Sequence, residues 1–202
     1  MINFSDISLV FPGGSVALSN VTTKVEDGEF IYLIGPSGSG KSSFLKLIYK
    51  ELEPTNGEVE VTGINLNSLA SWRVPLLRRK LGIVLQEPKL LKDRTVSENI
   101  SFAMEVLGFS PYEIRNQVNQ LLSLVDIEHE AYKYPDQLSS GQQTRVAIAR
   151  ALASKPLVLL CDEPTGNLDP ELSSKIVVLL EKINRAGTTV IMATHDSGIV
   201  NR

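Results

Sequence analysis

Residues 30–50 read FIYLIGPSGSGKSSFLKLIYK, an apolar run that breaks into a loop of glycines and serines and resumes as apolar letters at helical spacing. The break matches the pattern G-x-x-x-x-G-K-[ST] in letters and in context, because Gly35, Gly40, Lys41 and Ser42 fall where strand gives way to helix. Glycines at 35, 38 and 40 allow left-handed turns that aim several backbone N–H groups at one anion. The positive end of the following helix points at the same spot. The loop Gly35, Pro36, Ser37, Gly38, Ser39, Gly40, Lys41, Ser42 and Ser43 therefore reads as a phosphate cradle. Lys41 is expected to face solvent and meet the β and γ phosphates of a nucleotide, and Ser42 to offer a hydroxyl to Mg²⁺. A flexible Gly/Ser turn is the plain alternative, but it needs no lysine followed by a hydroxyl at a helix start.

Outward from the cradle, the first 30 residues hold two short alternating runs, INFSDISLVF and VALSNVTTKV, around PGGS, which predicts antiparallel strands. GEVEVTG reads as a short edge strand and LGIVLQ at 81–86 as another short strand. LVLLCDE at 157–163 and TTVIMATH at 188–195 are continuous apolar runs of the kind a buried parallel sheet needs. From Gln86 to Leu138 the pattern turns helical, with Ile114, Val118, Leu121, Leu122 and Val125 on one face. A helix starts near Ser139–Gly141 and stops before Pro156, and another opens at Asp169-Pro170 and closes at Gly187. The division expected is a core of 1–86 and 157–202 with a helical lobe over about 87–156, in one folding unit.

At 202 residues, 43% hydrophobic, 21% charged and net charge −3, the chain is globular in composition and gives no support to nucleic acid as a ligand. No run of about 18 apolar residues predicts a membrane span, and the N-terminus lacks a secretory pattern. The single Cys161 lies in an apolar run and reads as packing. His129 reads as surface, Trp72 as an anchor, and Arg78, Arg79 and Lys80 as a solvated face.

A nucleotide cradle needs an acid for its metal. Asp162, at the end of LVLLCD, is placed to bind Mg²⁺ through water, and Glu163, one residue on, could take a proton from the attacking water. Alone, the acidic pair could equally be loop solvation.

LSSGQQTRVAIARAL at 138–152, followed by LVLLCDEPTGNLD and then MATHD, resembles the ATP-binding subunits of ATP-binding cassette transporters over essentially the whole chain. The resemblance implies an α/β fold: a P-loop NTPase core with a parallel sheet, an N-terminal antiparallel β subdomain and an inserted helical lobe. It implies an ATP hydrolase with ATP and Mg²⁺, and an ATP-dependent homodimer closed head to tail. The cradle of one chain would then face Ser139, Ser140, Gly141 and Gln142 of the other. Phe11 would stack on adenine, Gln86 would contact Mg²⁺ and the attacking water, His195 the γ-phosphate, and Asp169 would help join the chains. For Phe11 the alternative is core packing, and for His195 a capped strand end.

Ser140 stands where the family usually has glycine, and Phe11 where tyrosine is common. The chain ends at Arg202 where relatives continue, so a truncation is expected. VPLLRRKLGIVLQEPKLLKDRTVSENI, FAMEVLG and NRAGTTVIMATHDSGIVN are most similar to the family's cell-division member. That likeness implies a peripheral subunit at the cytoplasmic face of the membrane, at the division site. Its membrane-spanning partner, met near 86–105, would pass ATP-driven motion to cell-wall hydrolases. An ATPase of a lipoprotein-releasing or macrolide exporter is the runner-up, and a nucleotide-gated septal scaffold with little turnover a reading of another class.

Overall fold

In the computed structural model, which describes residues 1–196 and Gly198, the alternating N-terminal runs form β1 (Ile2–Val10) and β2 (Val16–Val25), paired antiparallel. The expected truncation after Arg202 lies outside the described residues. The turn between the two strands carries Gly13 and Gly14 at φ 106° and 85°. β4 (Asn56–Val61) pairs with the other side of β1, and β5 (Ile64–Asn65) lies beyond it, giving the order β2-β1-β4-β5. GEVEVTG is thus not the edge strand it was expected to be; the chain turns back through Thr62-Gly63 and adds a two-residue strand outside it.

The second sheet is parallel throughout. β3 (Phe30–Ile34), β8 (Thr189–Thr194), β7 (Val158–Asp162) and β6 (Leu81–Val84) lie in that order, so all four strands end on one edge. Both faces are covered, which is why the strands read as unbroken apolar runs. Leu160, Ile191 and Ala193 pack toward α1 (Lys41–Ile48) and the antiparallel sheet; Leu159, Cys161, Val190 and Met192 pack toward the other helices. α1 is gripped between the sheets through Phe44, Leu45 and Leu47, and the Phe44 ring stacks on Phe4 with centroids 4.2 Å apart. That grip fixes the helix whose first residue is Lys41.

The opposite face carries α3 (Val96–Val106), α4 (Pro111–Leu124), α5 (Ser140–Leu152) and α6 (Pro170–Arg185). Thr95 with Glu98, and Ser110 with Glu113, close capping boxes at the starts of α3 and α4. Val118, Leu121, Leu122 and Val125 are buried, with Ile114 packed against the same cluster. Helices and sheet share that cluster, which runs without a break from Cys161 to Met104 and Ile148. α5 ends at Leu152, short of Pro156, and Asp169 caps α6 by accepting from Glu171 and Leu172.

A short helix, α2 (Val74–Arg78), precedes β6 and buries only Leu77. Trp72 is no buried anchor: it is 70% exposed, with the Arg73 guanidinium 4.8 Å over its ring. Arg78 is more than a solvated face, since it donates to the Tyr49 and Lys50 carbonyls at 2.9 and 3.2 Å and so caps the end of α1. Cys161 is fully buried, and burial pushes its thiol far above the ordinary range. No helix among the described residues is long and apolar enough to cross a membrane.

Candidate nucleotide site

The loop between β3 and α1 bends where only glycine fits. Gly40 sits at φ 91°, and a Cβ there would lie 2.3 Å from the Ala17 carbonyl oxygen. As N-cap of α1, Gly40 offers no side-chain acceptor, so the first N–H groups of the helix remain free to face an anion. Lys41 departs from the sequence expectation: it is only 8% exposed. Its Nζ donates to the Gly35 and Pro36 carbonyls at 2.8 and 3.0 Å and lies 3.5 Å from Glu163 Oε1. The loop carbonyls draw the ammonium inward, where its charge is compensated.

At the ends of β7 and β8 three further side chains converge. Ser42 Oγ donates to Asp162 Oδ1 at 2.9 Å. Burial raises the Asp162 carboxyl above its ordinary value; the Ser42 hydrogen bond opposes that shift and neighbouring Glu163 adds to it. Glu163 is held at φ 46°, uncommon for a residue with a side chain, by its own N–H to the Ala193 carbonyl at 3.0 Å and by Gly166 N–H to its carbonyl at 3.0 Å. One Glu163 oxygen faces Lys41 and the other lies 2.9 Å from His195 Nδ1. The acidic pair is therefore ordered, not a solvated loop.

A cavity of about 300 Å³ brings the loop beside Phe11, Gln86 and Glu163, with Gly38, Lys41 and Ser42 in its lining. Pro36 and Ser39 belong to the same loop without lining it, while Ser37, Gly40 and Ser43 do line it. Phe11 follows β1 and is 37% exposed, which rules out core packing as its role. His195 opens on a neighbouring cavity that also reaches Glu163.

The second predicted group lies elsewhere in the chain. Ser139 caps α5 in a reciprocal pair with Gln142, and the Gln142 amide also donates to Glu130 Oε1 at 2.8 Å. Gly141 is buried, facing Leu172 of α6. Of these four residues only Ser140 lines a cavity shared with Gln86 and Glu163, one of about 490 Å³ that the cradle does not enter.

The family model of the ABC transporter matches residues 18–166. The chain belongs to the ABC transporter family. As an ABC protein it is an ATP hydrolase. It is 46% identical over 201 residues to the cell division ATP-binding protein FtsE of Bacillus subtilis, covering 100% of this chain and 88% of that one. With the FtsE of Mycobacterium tuberculosis the identity is 51% over 185 residues, 92% of this chain and 80% of that one. The dimeric structure of a post-hydrolysis state of the ATP-binding cassette MJ0796 bound to ADP and Pi superposes with TM-score 0.88 at 37% identity, covering 98% of this chain and 90% of that one.

The residues fit what an ABC ATPase binds. Among the described residues no three His, Cys, Asp or Glu side chains gather as a metal cage. Ser42 Oγ and Asp162 Oδ1 are instead a sparse pair of hard oxygens. Such a pair suits Mg²⁺, which keeps several waters and shares substrate phosphates. Two contributors escaped sequence reading, Asn99 and Arg150, which hold the backbone just beyond Gln86. Neither has a sequence signature, because both act on main-chain groups.

The stretch expected to meet a partner, 86–105, divides between two places. Leu91, Phe102 and Ala103 line an apolar groove of about 560 Å³ between the lobe and β6, whereas Lys89 and Lys92 line the cavity of Gln86.

Proposed function

We propose that the chain is the FtsE-like nucleotide-binding subunit of a peripheral complex at the cytoplasmic face of the membrane, at the division site. Two copies close on ATP, and a membrane-spanning FtsX-like partner carries that motion to cell-wall hydrolases. The names and identities of the relatives support the assignment. The observation that carries the chemistry is the Glu163 carboxylate, held between Lys41 at 3.5 Å and His195 at 2.9 Å where the strands of the parallel sheet end.

In this reading Phe11 stacks on the adenine, and the loop from Gly35 to Ser43 binds the phosphates through its N–H groups and Lys41. Ser42, Asp162 and Gln86 would hold Mg²⁺, which would offset the negative charge developing on the phosphates. Glu163 accepts the proton of the attacking water, and His195 orients Glu163 and reaches toward the γ-phosphate. Ser139, Ser140, Gly141 and Gln142 serve the other copy's nucleotide; their separation from the cradle within one chain supports a shared site. Asp169, which caps α6, helps join the two copies; its neighbour Leu168 and the α6 residue Leu172 pack beside Gly141. The lobe over about 87–156 moves against the core of 1–86 and 157–202, and the apolar groove between them receives the partner.

Deletion of the gene tests the biological half. Division or septal-hydrolysis defects in the deletion strain, and co-purification of an FtsX-like membrane protein with the intact chain, are expected. Normal division beside a lipoprotein-release or drug-efflux defect would transfer the chain to the exporter reading.

A further inference from the structure

The turn that follows Gln86 is held from two helices. Arg150, near the end of α5, donates to the Pro88 carbonyl at 2.8 Å and the Lys89 carbonyl at 3.0 Å. Lys89 sits at φ 40°, a conformation residues with side chains seldom adopt unless neighbours hold it. Asn99 of α3, 0% exposed, accepts from Leu91 N–H at 2.8 Å and donates to the Leu91, Arg94 and Thr95 carbonyls. Among the described residues Arg150 makes no ion pair, and burial disfavours its charge. A partly desolvated guanidinium compensated by backbone carbonyls alone is favourable only while those carbonyls stay in place. Arg150 lines the apolar groove of about 560 Å³, while its acceptors Pro88 and Lys89 line the cavity of about 490 Å³ that holds Gln86 and Glu163.

We infer that Arg150 is a positioning residue for ATP hydrolysis: by gripping the Pro88–Lys89 turn it sets where the Gln86 amide sits, with Asn99 fixing the far end of the same segment. The inference rests on the proposed role of Gln86 at the metal and attacking water. It leaves the phosphate-binding loop itself in place, because the cradle is built on β3 and α1 and shares no hydrogen bond with Arg150. Lysine cannot replace the fork, since one ammonium on a flexible stem does not serve two carbonyls at fixed spacing.

The test compares Arg150→Ala, Arg150→Lys, Gln86→Ala and the Arg150→Ala/Gln86→Ala double variant in steady-state ATPase assays across a MgCl₂ titration. Arg150→Ala should lower kcat by about tenfold, leave KM for ATP within about twofold, and shift the Mg²⁺ requirement upward. Arg150→Lys should fall between it and the parent. The double variant should be no slower than Gln86→Ala, because a group acting through Gln86 has nothing left to position. Should Arg150→Ala not fold, Arg150→Lys alone and combined with Gln86→Ala are judged by the same cycle. Parental kcat and Mg²⁺ dependence in the Arg150 variants beside a slow Gln86→Ala, or losses that multiply in the double variant, would overturn this inference alone. A parental rate in Gln86→Ala would overturn the reading of Gln86 beneath it.

Discussion

Replacing Lys41 by methionine keeps the length and apolar bulk of the side chain and removes only the ammonium. In the free chain that group donates to two loop carbonyls, at 2.8 and 3.0 Å, and stands 3.5 Å from a Glu163 carboxylate that is itself 14% exposed. Hydrogen bonds to a charged group contribute roughly 1.5–3 kcal/mol each, but Pro36 is exposed and its carbonyl can be rehydrated. We therefore expect a net loss of about 1–3 kcal/mol for the nucleotide-free protein. For a chain of this size that corresponds to a Tm lower by about 2–12 °C. ATP binding should fall to background at the same time, since the cradle loses its cation. Calorimetry of the free protein and titration with MgATP measure the two effects separately. A Tm equal to the parent's would refute the inward-held lysine, and unchanged ATP affinity would refute its place in the cradle.

Asp162→Asn should stabilise the free protein at neutral pH. A carboxyl whose folded pKa is raised contributes stability fully present below its unfolded pKa and lost as pH rises through the folded one, so above that range the buried charge weakens the fold. The gain in Tm should grow on passing from acidic to neutral pH, while Mg²⁺-dependent hydrolysis is lost; a constant offset across pH would contradict the assignment. Mixing Lys41→Ala with Gly141→Asp should recover part of the ATPase activity that each lacks alone, because some mixed dimers keep one intact site; no recovery at any ratio counts against shared sites. Phe102→Glu with Val106→Glu, at 37% and 60% exposure on the groove side of α3, should release the chain from membrane fractions and leave soluble ATPase within about twofold. Retained membrane association would remove the groove as the docking place.

The cradle was legible because its chemistry and its local structure coincide in nine consecutive residues. Both strands flanking Asp162 and Glu163 were legible for a related reason, since burial on two faces leaves an unbroken apolar run. What the sequence hid depends on partners far along the chain. Arg78 and Arg150 look like surface cations, yet each spends its guanidinium on carbonyls 28 to 62 residues away. Lys41 breaks the rule that charge points outward because its acceptors are main-chain oxygens, which every sequence has and none displays. β4 reads as an edge because two residues are too few for β5 to leave a period-2 signature. The apolar groove is built around Phe102, Ala103 and Leu107, whose letters match those of any helix face.

In the proposed mechanism Glu163 takes the proton of the attacking water. Glu163→Gln keeps the side chain's shape and its reach to His195 but cannot hold that proton. Single-turnover hydrolysis of MgATP by this variant, beside its MgATP affinity, is the direct test. Parental or tighter binding, a stable ATP-bound dimer on gel filtration, and hydrolysis slower by about 10²–10⁴-fold are expected. Hydrolysis at the parental rate with binding intact would contradict it.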